Sequence, residues 1–337
     1  MDSFPLKRDS YFDLVKAAAI LMVVVSHVYG GEKNVTGLID RWMYNFIILC
    51  NMPLFFVISG HFAVKTIERL DGSRLVRTIR SWLWPWVSFA VLMIACDLIV
   101  SMNGGGVASL RHYLFQYWFF RVVSMCLLIA YCYAMLFRGT QLRWGLVLLS
   151  PLIVMAVPDG KWCLYQLGGL RAMYVWFVAG IFLSRWRRLC EDWRFACPIM
   201  LATLFACMTM GNVYTNGLSF YKESSWLLDV LASSRSSLLW LGRLLLGLGG
   251  IVSVLWLVYL AKDVLSKSEL ILAIGRSTLG IYAIHVFVLR YLNLPKISLV
   301  TALIISCVLL LASTFITMLI NRWSFGRLLV FGRMARS

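Results

Sequence analysis

Residues 13–27 read DLVKAAAILMVVVSH and form the first long apolar run of the chain. The run contains three ionisable side chains, Asp13, Lys16 and His27. Charged groups inside a bilayer are costly and usually mark function. Lys16 and His27 are eleven residues apart, about three turns, so a helix places them on one face and roughly 16 Å apart along its axis. Asp13 precedes Lys16 by three residues, which predicts an ion pair between the two.

The composition of the whole chain is that of an integral membrane protein. Of its 337 residues, 61% are hydrophobic and only 14% are charged, whereas soluble domains are about half apolar and a quarter charged. The net charge of +17 is explained by basic residues in cytoplasmic loops and near lipid headgroups. Binding to nucleic acid is not expected, because the basic residues are scattered through short loops. The nine cysteines include no C-x-x-C pair, so no metal or redox motif is predicted.

Apolar runs of about 20 residues, the length that spans a bilayer, predict an all-α membrane protein with about ten transmembrane helices in one domain, 1–337. The predicted runs are 11–30, 42–63, 81–102, 114–136, 143–158, 171–187, 195–211, 236–261, 270–292 and 298–320. The loop at about 212–235 is predicted to lie along the membrane surface as a short amphipathic helix. Three basic side chains inside the runs, Lys16, Arg121 and Arg243, are not expected to face lipid.

The distribution of basic residues predicts the orientation of these helices. With a cytoplasmic N-terminus, 20 Lys and Arg side chains fall on cytoplasmic segments and nine on the opposite side. Because short cytoplasmic loops carry the excess of basic residues, the count predicts ten spans with both termini cytoplasmic. A multi-pass protein of the cell (inner) membrane is therefore expected. The oligomeric state is not indicated by the sequence.

His27 is the best candidate for acid–base chemistry. A neutral imidazole accepts a proton near pH 7, and burial in apolar surroundings favours the neutral form. His27 is therefore predicted to act as a general base on an acceptor hydroxyl. Glu32 and Asp40 lie beyond it in the sequence, and either is a candidate to orient the imidazole ring.

Three further stretches contain candidate site residues. In the second run, Ser59-Gly60 after Pro53 forms a small polar patch where a helix or a ligand can approach closely. Arg74, Arg77 and Arg80 precede the third run, and guanidinium groups bind phosphate oxygens in a bidentate way. The same arginines also suit a positive-inside loop that contacts anionic lipid, and both interpretations stay open. Near the C-terminus, Tyr282 and His285 are three residues apart on neighbouring helix faces, either as a site or as buried structure.

Four motifs occur in order along the chain. They are Asp13-Leu14-x-Lys16 followed by His27; Met52-Pro53-Leu54-Phe55-Phe56-x-x-Ser59-Gly60; the arginine-rich entry before Pro85; and Gly275-Arg276-Ser277 with Ile281-Tyr282 and His285. In this order and spacing they resemble the acyltransferase 3 family of multispan membrane O-acyltransferases. The family usually has arginine where this chain has Lys16, and often an aromatic residue where it has His61. The stretch from about 105 to 265 resembles the family only as a run of hydrophobic helices.

The resemblance implies an enzyme that uses acyl-CoA, most often acetyl-CoA, bound from the cytoplasmic side as co-substrate, with no metal. The acceptor it implies is a hydroxyl of a cell-surface glycan or a related molecule. The expected catalytic residues are His27, Lys16 and Asp13, and the expected donor contacts are Arg74, Arg77, Arg80, Ser59, Tyr282 and His285. Two alternatives stay open: a transporter or exporter without covalent chemistry, and a membrane sensor or scaffold with a decayed site.

Overall fold

The computed structural model describes residues 9–29, 38–101, 113, 116–140, 142–156, 164–185, 193, 195–209, 234–292, 294–295 and 297–332. Within these ranges all regular secondary structure is α-helical. The helices are α1 (Ser10–Tyr29), α2 (Leu38–Arg69), α3 (Gly72–Ser101), α4 (Trp118–Leu136), α5 (Arg143–Ala156), α6 (Leu164–Arg185), α7 (Ala196–Thr209), α8 (Ser234–Leu265), α9 (Glu269–Arg276), α10 (Thr278–Tyr291), α11 (Leu299–Arg322) and α12 (Ser324–Phe331).

Among the described helices, α1, α2, α3, α4, α8 and α11 are long and apolar enough to cross a membrane, which makes six candidate spans. A seventh follows if α9 and α10 form one bent span. The apolar helices α5 and α7 are shorter. Each of the ten predicted runs overlaps one helix or the bent pair. The prediction of an all-α membrane protein is confirmed, whereas the count of ten spans and the cytoplasmic termini stay predictions. The predicted surface helix at 212–235 lies almost entirely outside the described residues.

Helix α1 lies at the centre of the bundle, because α2, α8, α9, α10 and α11 all pack against it. Its side chains are buried or half-buried, with one exception: His27 is exposed. The outer helices differ, since only 28% of the apolar window of α3 and 33% of that of α11 are buried inside the protein. Exposure on those helices is mostly apolar along their spanning windows, whereas exposure on the central helix α1 is confined to one polar group, His27.

Helices α2 and α6 cross in close backbone contact at two glycines. A Cβ at Gly60 would overlap the carbonyl oxygen of Phe177, and one at Gly180 would overlap that of Val57. Small residues permit such close approach between membrane helices. The predicted patch at Ser59-Gly60 therefore contacts another helix through its glycine. Helix α2 also continues through Pro53, so the proline removes one backbone donor without ending the helix.

Helices α9 and α10 are separated at Ser277 and are bent by 76° relative to each other. Helix α9 is capped by Ser268, whose hydroxyl accepts from the backbone N–H of Ile271. Its last turn lies directly on α1, because a Cβ at Gly275 would overlap the backbone carbonyl of Asp13. The bend therefore lets one stretch of chain contact α1 at two levels, near Asp13 through α9 and near His27 through α10.

Candidate active site

Two histidines from opposite ends of the sequence form a hydrogen-bonded pair. His27 Nδ1 lies 3.0 Å from His285 Nε2, and the two rings are nearly parallel, with 18° between their planes. His285 is fully buried, at 0% exposure, whereas His27 is exposed. One imidazole is thus held by the protein interior and the other is accessible.

The direction of the hydrogen bonds follows from a third contact. His285 Nδ1 lies 2.8 Å from the carbonyl oxygen of Ile281, and a carbonyl only accepts, so this nitrogen has the proton. Since a buried imidazole is most stable uncharged, His285 Nε2 is an acceptor and receives the Nδ1–H of His27. The remaining ring nitrogen of His27, Nε2, then has a free lone pair. This tautomer is assigned from the hydrogen-bond chain.

The neighbours of the pair fix both helices. Asn51 of α2 donates to the Ser26 hydroxyl at 3.1 Å, and the Ser26 hydroxyl donates to the carbonyl of Val23 at 2.8 Å. Tyr282 is buried, with its ring 5.5 Å from that of His285 in an edge-to-face arrangement. Pairs of this geometry are favourable for aromatic rings, so Tyr282 supports the orientation of His285.

The other end of α1 has a charge cluster. Lys16 Nζ lies 3.3 Å from Asp13 Oδ1, which confirms the predicted ion pair. Arg276 of α9 adds a second cation, with Nε 3.6 Å from Asp13 Oδ2. Asp13 is 1% exposed, and a buried carboxylate requires such compensation. Lys16 also lies over the ring of Phe62, 4.7 Å from its centroid.

The predicted arginine cluster lies at the start of α3. Arg74 is half-buried, and Arg77 and Arg80 are exposed. The α2–α3 turn is fixed by Asp71, which accepts from the backbone N–H of Arg74 at 2.9 Å. That hydrogen bond, helped by the hydroxyl of Ser73, holds the pKa of Asp71 below its ordinary value. Arg77 donates to the carbonyl of Ser73 and Arg80 lies over the ring of Trp84, and both side chains are exposed.

The remaining predicted positions lie on the central helices. Ser59 is half-buried on α2, and His61 stacks on Phe12 of α1 with ring centroids 4.2 Å apart. Among the basic residues inside the runs, Arg121 is 7% exposed and lies over the ring of Trp86, so it does not face lipid. Arg243 is half-buried on α8.

Two features of the site were missed by sequence reasoning. Glu32 and the side chain of Asp40, the predicted orienting groups, lie outside the described residues, and the described partner of His27 is His285. Arg276 was noted only as part of a motif, although it shares Asp13 with Lys16. Contacts between such distant positions have no local sequence signal.

A polar cluster around the buried carboxylate of Asp97, at the C-terminal ends of α3 and α10, was also missed. Asp97 accepts from Arg290 at 2.5 Å, from Tyr113 at 2.6 Å and from Tyr291 at 2.8 Å. The described residues include no group of three or more His, Cys, Asp or Glu side chains suited to a metal ion.

Together, the bundle of apolar helices and the histidine pair at its central helix define a multi-pass membrane protein with a polar site inside the bundle. A family model described as an acyltransferase domain, that of the acyltransferase 3 family, matches residues 9–322. The chain therefore belongs to the acyltransferase 3 family, and it is an acyltransferase by that membership. No curated protein and no solved structure matches it.

Proposed function

We propose that this protein transfers an acyl group, most simply acetyl, from acyl-CoA to a hydroxyl of a cell-surface glycan or a related acceptor. The observation that carries the proposal is the His27–His285 pair, in which an accessible imidazole is oriented by a buried one. Such an arrangement suits a general base, because the hydrogen bond to His285 fixes which ring nitrogen of His27 has the lone pair. Family membership supplies the reaction class.

In the proposed reaction, His27 Nε2 removes the proton of the acceptor hydroxyl as its oxygen attacks the thioester carbonyl. The bond from the carbonyl carbon to sulfur breaks, and the CoA thiolate leaves and receives the proton from the imidazolium. His285 acts as a positioning residue, since its Nε2 accepts the Nδ1–H of His27 throughout. General-base assistance of this kind typically contributes about 10²- to 10⁴-fold in rate.

The donor is proposed to enter from the cytoplasmic side, near Lys16. The phosphates of CoA would contact exposed arginines at the start of α3, Arg77 and Arg80, with half-buried Arg74 next to them. Lys16 and Arg276 belong to a cluster in which Asp13 and Glu269 balance the two cations, so Lys16 would contribute a positioned ammonium group rather than net charge for the anionic donor. Ser59 and Tyr282 would line the path between the two ends of α1.

The topology proposed with this mechanism has ten spans, both termini in the cytoplasm and the protein in the inner cell membrane. It is supported by the excess of Lys and Arg on one set of loops and by the overlap of the ten apolar runs with described helices. Single cysteines at position 222 and at position 187 test it. The first should react with an impermeant maleimide from outside and the second only after permeabilisation; labelling of both from one side would contradict ten spans.

One observation favours a second function. The 76° break between α9 and α10, together with a charge cluster inside the bundle, is also found in transporters. A transporter would move the acceptor or another solute across the membrane without forming a covalent bond. The two functions differ in whether acyl-CoA is consumed.

The deciding experiment measures transfer of labelled acetyl from acetyl-CoA by the purified protein in nanodiscs, with extracted cell-surface glycan as acceptor. The wild type should label the glycan, and His27→Asn should lose about 10²- to 10⁴-fold in rate. Asn places an amide N–H where His27 has Nδ1, so the hydrogen bond to His285 and the fold are retained. A folded His27→Asn protein with wild-type turnover would refute His27 as the base, and glycan export without acyl-CoA consumption would favour the transporter.

A further inference from the structure

Helix α12 lies where the apolar part of α3 begins and α11 ends. It follows α11 after a single residue, Trp323, and packs against both α11 and α3. The two longer helices are candidate membrane spans. At eight residues, or about 12 Å of helix, α12 is too short to cross a bilayer. Its place at the ends of two spans is that of a helix in the interfacial region of the membrane.

Helix α12 is fixed to α3 through the carbonyl oxygen of Leu329. The last four carbonyls of a helix lack an intrahelical donor, and this one accepts from the indole N–H of Trp84 at 2.9 Å and from the Ser88 hydroxyl at 2.8 Å. Gly332 ends the helix with a φ of 61°, and a Cβ there would overlap the ring of Trp84. Phe331 is buried. One side of α12 is therefore held by hydrogen bonds and close packing.

The exposed side chains of α12 include large apolar groups. Phe325 is 73% exposed and Leu329 is 58% exposed, and their spacing of four residues places them on one face of the helix. Trp323, at the junction with α11, is 76% exposed. Tryptophan is enriched at membrane–water interfaces, where its ring contacts apolar groups and its N–H contacts polar ones. This face therefore suits the boundary between lipid headgroups and acyl chains.

Positive charge without an acidic partner lies beside these apolar side chains. Arg322 ends α11 and is exposed, and Arg327 of α12 is half-buried. Neither guanidinium group forms an ion pair within the described part of the chain, and no Asp or Glu follows Glu269 in the sequence. Guanidinium groups bind phosphate oxygens in a bidentate way. An anionic headgroup supplies the counter-charge that this end of the protein lacks.

We propose that α12 and the end of α11 form a binding site for an anionic phospholipid. Trp323, Phe325 and Leu329 contact its acyl chains, and Arg322 and Arg327 contact its phosphate. An acidic soluble partner would match the charge but not the apolar face, whereas a phospholipid at the ends of two spans matches both. The inference is independent of the proposed acyl transfer, because none of these residues has a role in that reaction.

The test measures lipid binding to the full chain in detergent by native mass spectrometry, with phosphatidylglycerol and phosphatidylcholine as probes. The wild type should bind phosphatidylglycerol more tightly. Each arginine at a membrane surface contributes about fivefold in affinity for anionic lipid, so Arg322→Gln/Arg327→Gln should weaken phosphatidylglycerol about 25-fold. Arg138→Gln/Lys267→Gln is the matched control, because it removes the same charge from two exposed positions outside α11 and α12. Equal losses in the two double variants would overturn the site.

A second pair of substitutions tests the apolar contacts. Trp323→Ser/Phe325→Ser should lower the affinity for phosphatidylglycerol, while the melting temperature without lipid stays at the wild-type value because both side chains are exposed. Soluble glycerol 3-phosphate should not displace the lipid. Displacement by this headgroup alone, or equal wild-type affinities for the two phospholipids, would overturn the assignment to a phospholipid.

Thermal unfolding in nanodiscs gives a readout within a bilayer. Phosphatidylglycerol should raise the melting temperature of the wild type and of the Arg138→Gln/Lys267→Gln control, since a ligand that binds only the folded state stabilises it. Arg322→Gln/Arg327→Gln should lose most of that increase, and the same increase in all three proteins would contradict the site. Light scattering that shows a wild-type dimer and a monomeric Trp323→Ser/Phe325→Ser protein would assign the face to a second copy of the chain and overturn the lipid site.

Discussion

Replacement of His285 by Gln and by Asn separates its two hydrogen bonds. The imidazole accepts from His27 through Nε2 and donates to the carbonyl of Ile281 through Nδ1. The Gln side-chain carbonyl reaches the position of Nε2 and retains the acceptor for His27. The shorter Asn side chain reaches only the position of Nδ1, so it retains the bond to Ile281 and leaves the Nδ1–H of His27 without an acceptor.

The size of each effect follows from the bond that is lost. Loss of a neutral hydrogen bond costs about 0.5–1.5 kcal/mol, whereas a donor left without its partner costs about 1–3 kcal/mol. If the second cost falls on the transition state, His285→Asn should lower kcat about 5- to 150-fold. His285→Gln should retain turnover within about tenfold, although its melting temperature should fall because the bond to Ile281 is lost.

The assay is acetyl transfer from acetyl-CoA by the purified variants in nanodiscs, with the melting temperature of each protein measured in detergent. Donor affinity, measured separately, should be unchanged in both variants, since His285 contacts His27 and not the charged end of α1. Equal turnover in the two folded variants would show that the hydrogen bond to His27 does not orient the base. Wild-type turnover in His285→Asn would remove His285 from the mechanism.

Substitutions at three further positions test the packing and the charges. Gly60→Ala should lower the melting temperature, because the added Cβ overlaps the backbone of α6 and overpacking costs about 1–3 kcal/mol. Gly145→Ala, with open space at its Cβ, is the control. Equal melting temperatures of the two variants would contradict the close crossing of α2 and α6. Asp97→Asn should destabilise the protein by about 1–3 kcal/mol, since it removes the charge that pairs with Arg290, and a denaturation midpoint equal to that of the wild type would exclude a structural role. Lys16→Arg should retain donor affinity, and Lys16→Ala should weaken it about 10- to 100-fold, as measured by the KM for acetyl-CoA. An unchanged KM in Lys16→Ala would place the donor elsewhere.

Features that depend on local sequence were predicted well. Apolar runs of spanning length must satisfy their backbone polar groups internally, which leaves helices as the outcome. The ion pair of Asp13 and Lys16 was also predicted from local sequence, because helical geometry alone brings residues three positions apart into contact. The choice of His27 also came from the sequence, since it is a polar group in an apolar helix, although its role as a base stays a prediction.

Features that depend on contacts between distant segments were decided only by the tertiary structure. His27 and His285 are 258 positions apart, and no periodicity links them. The bend at Ser277 brings α9 to Asp13 and α10 to His27, and its angle depends on packing against α1. The sequence by itself therefore determined the helices and the polar residues within them, because both follow from local geometry and the cost of charge in a bilayer. Which of those polar residues share a hydrogen bond was determined by how the helices pack, because side chains far apart in sequence meet only in the folded bundle.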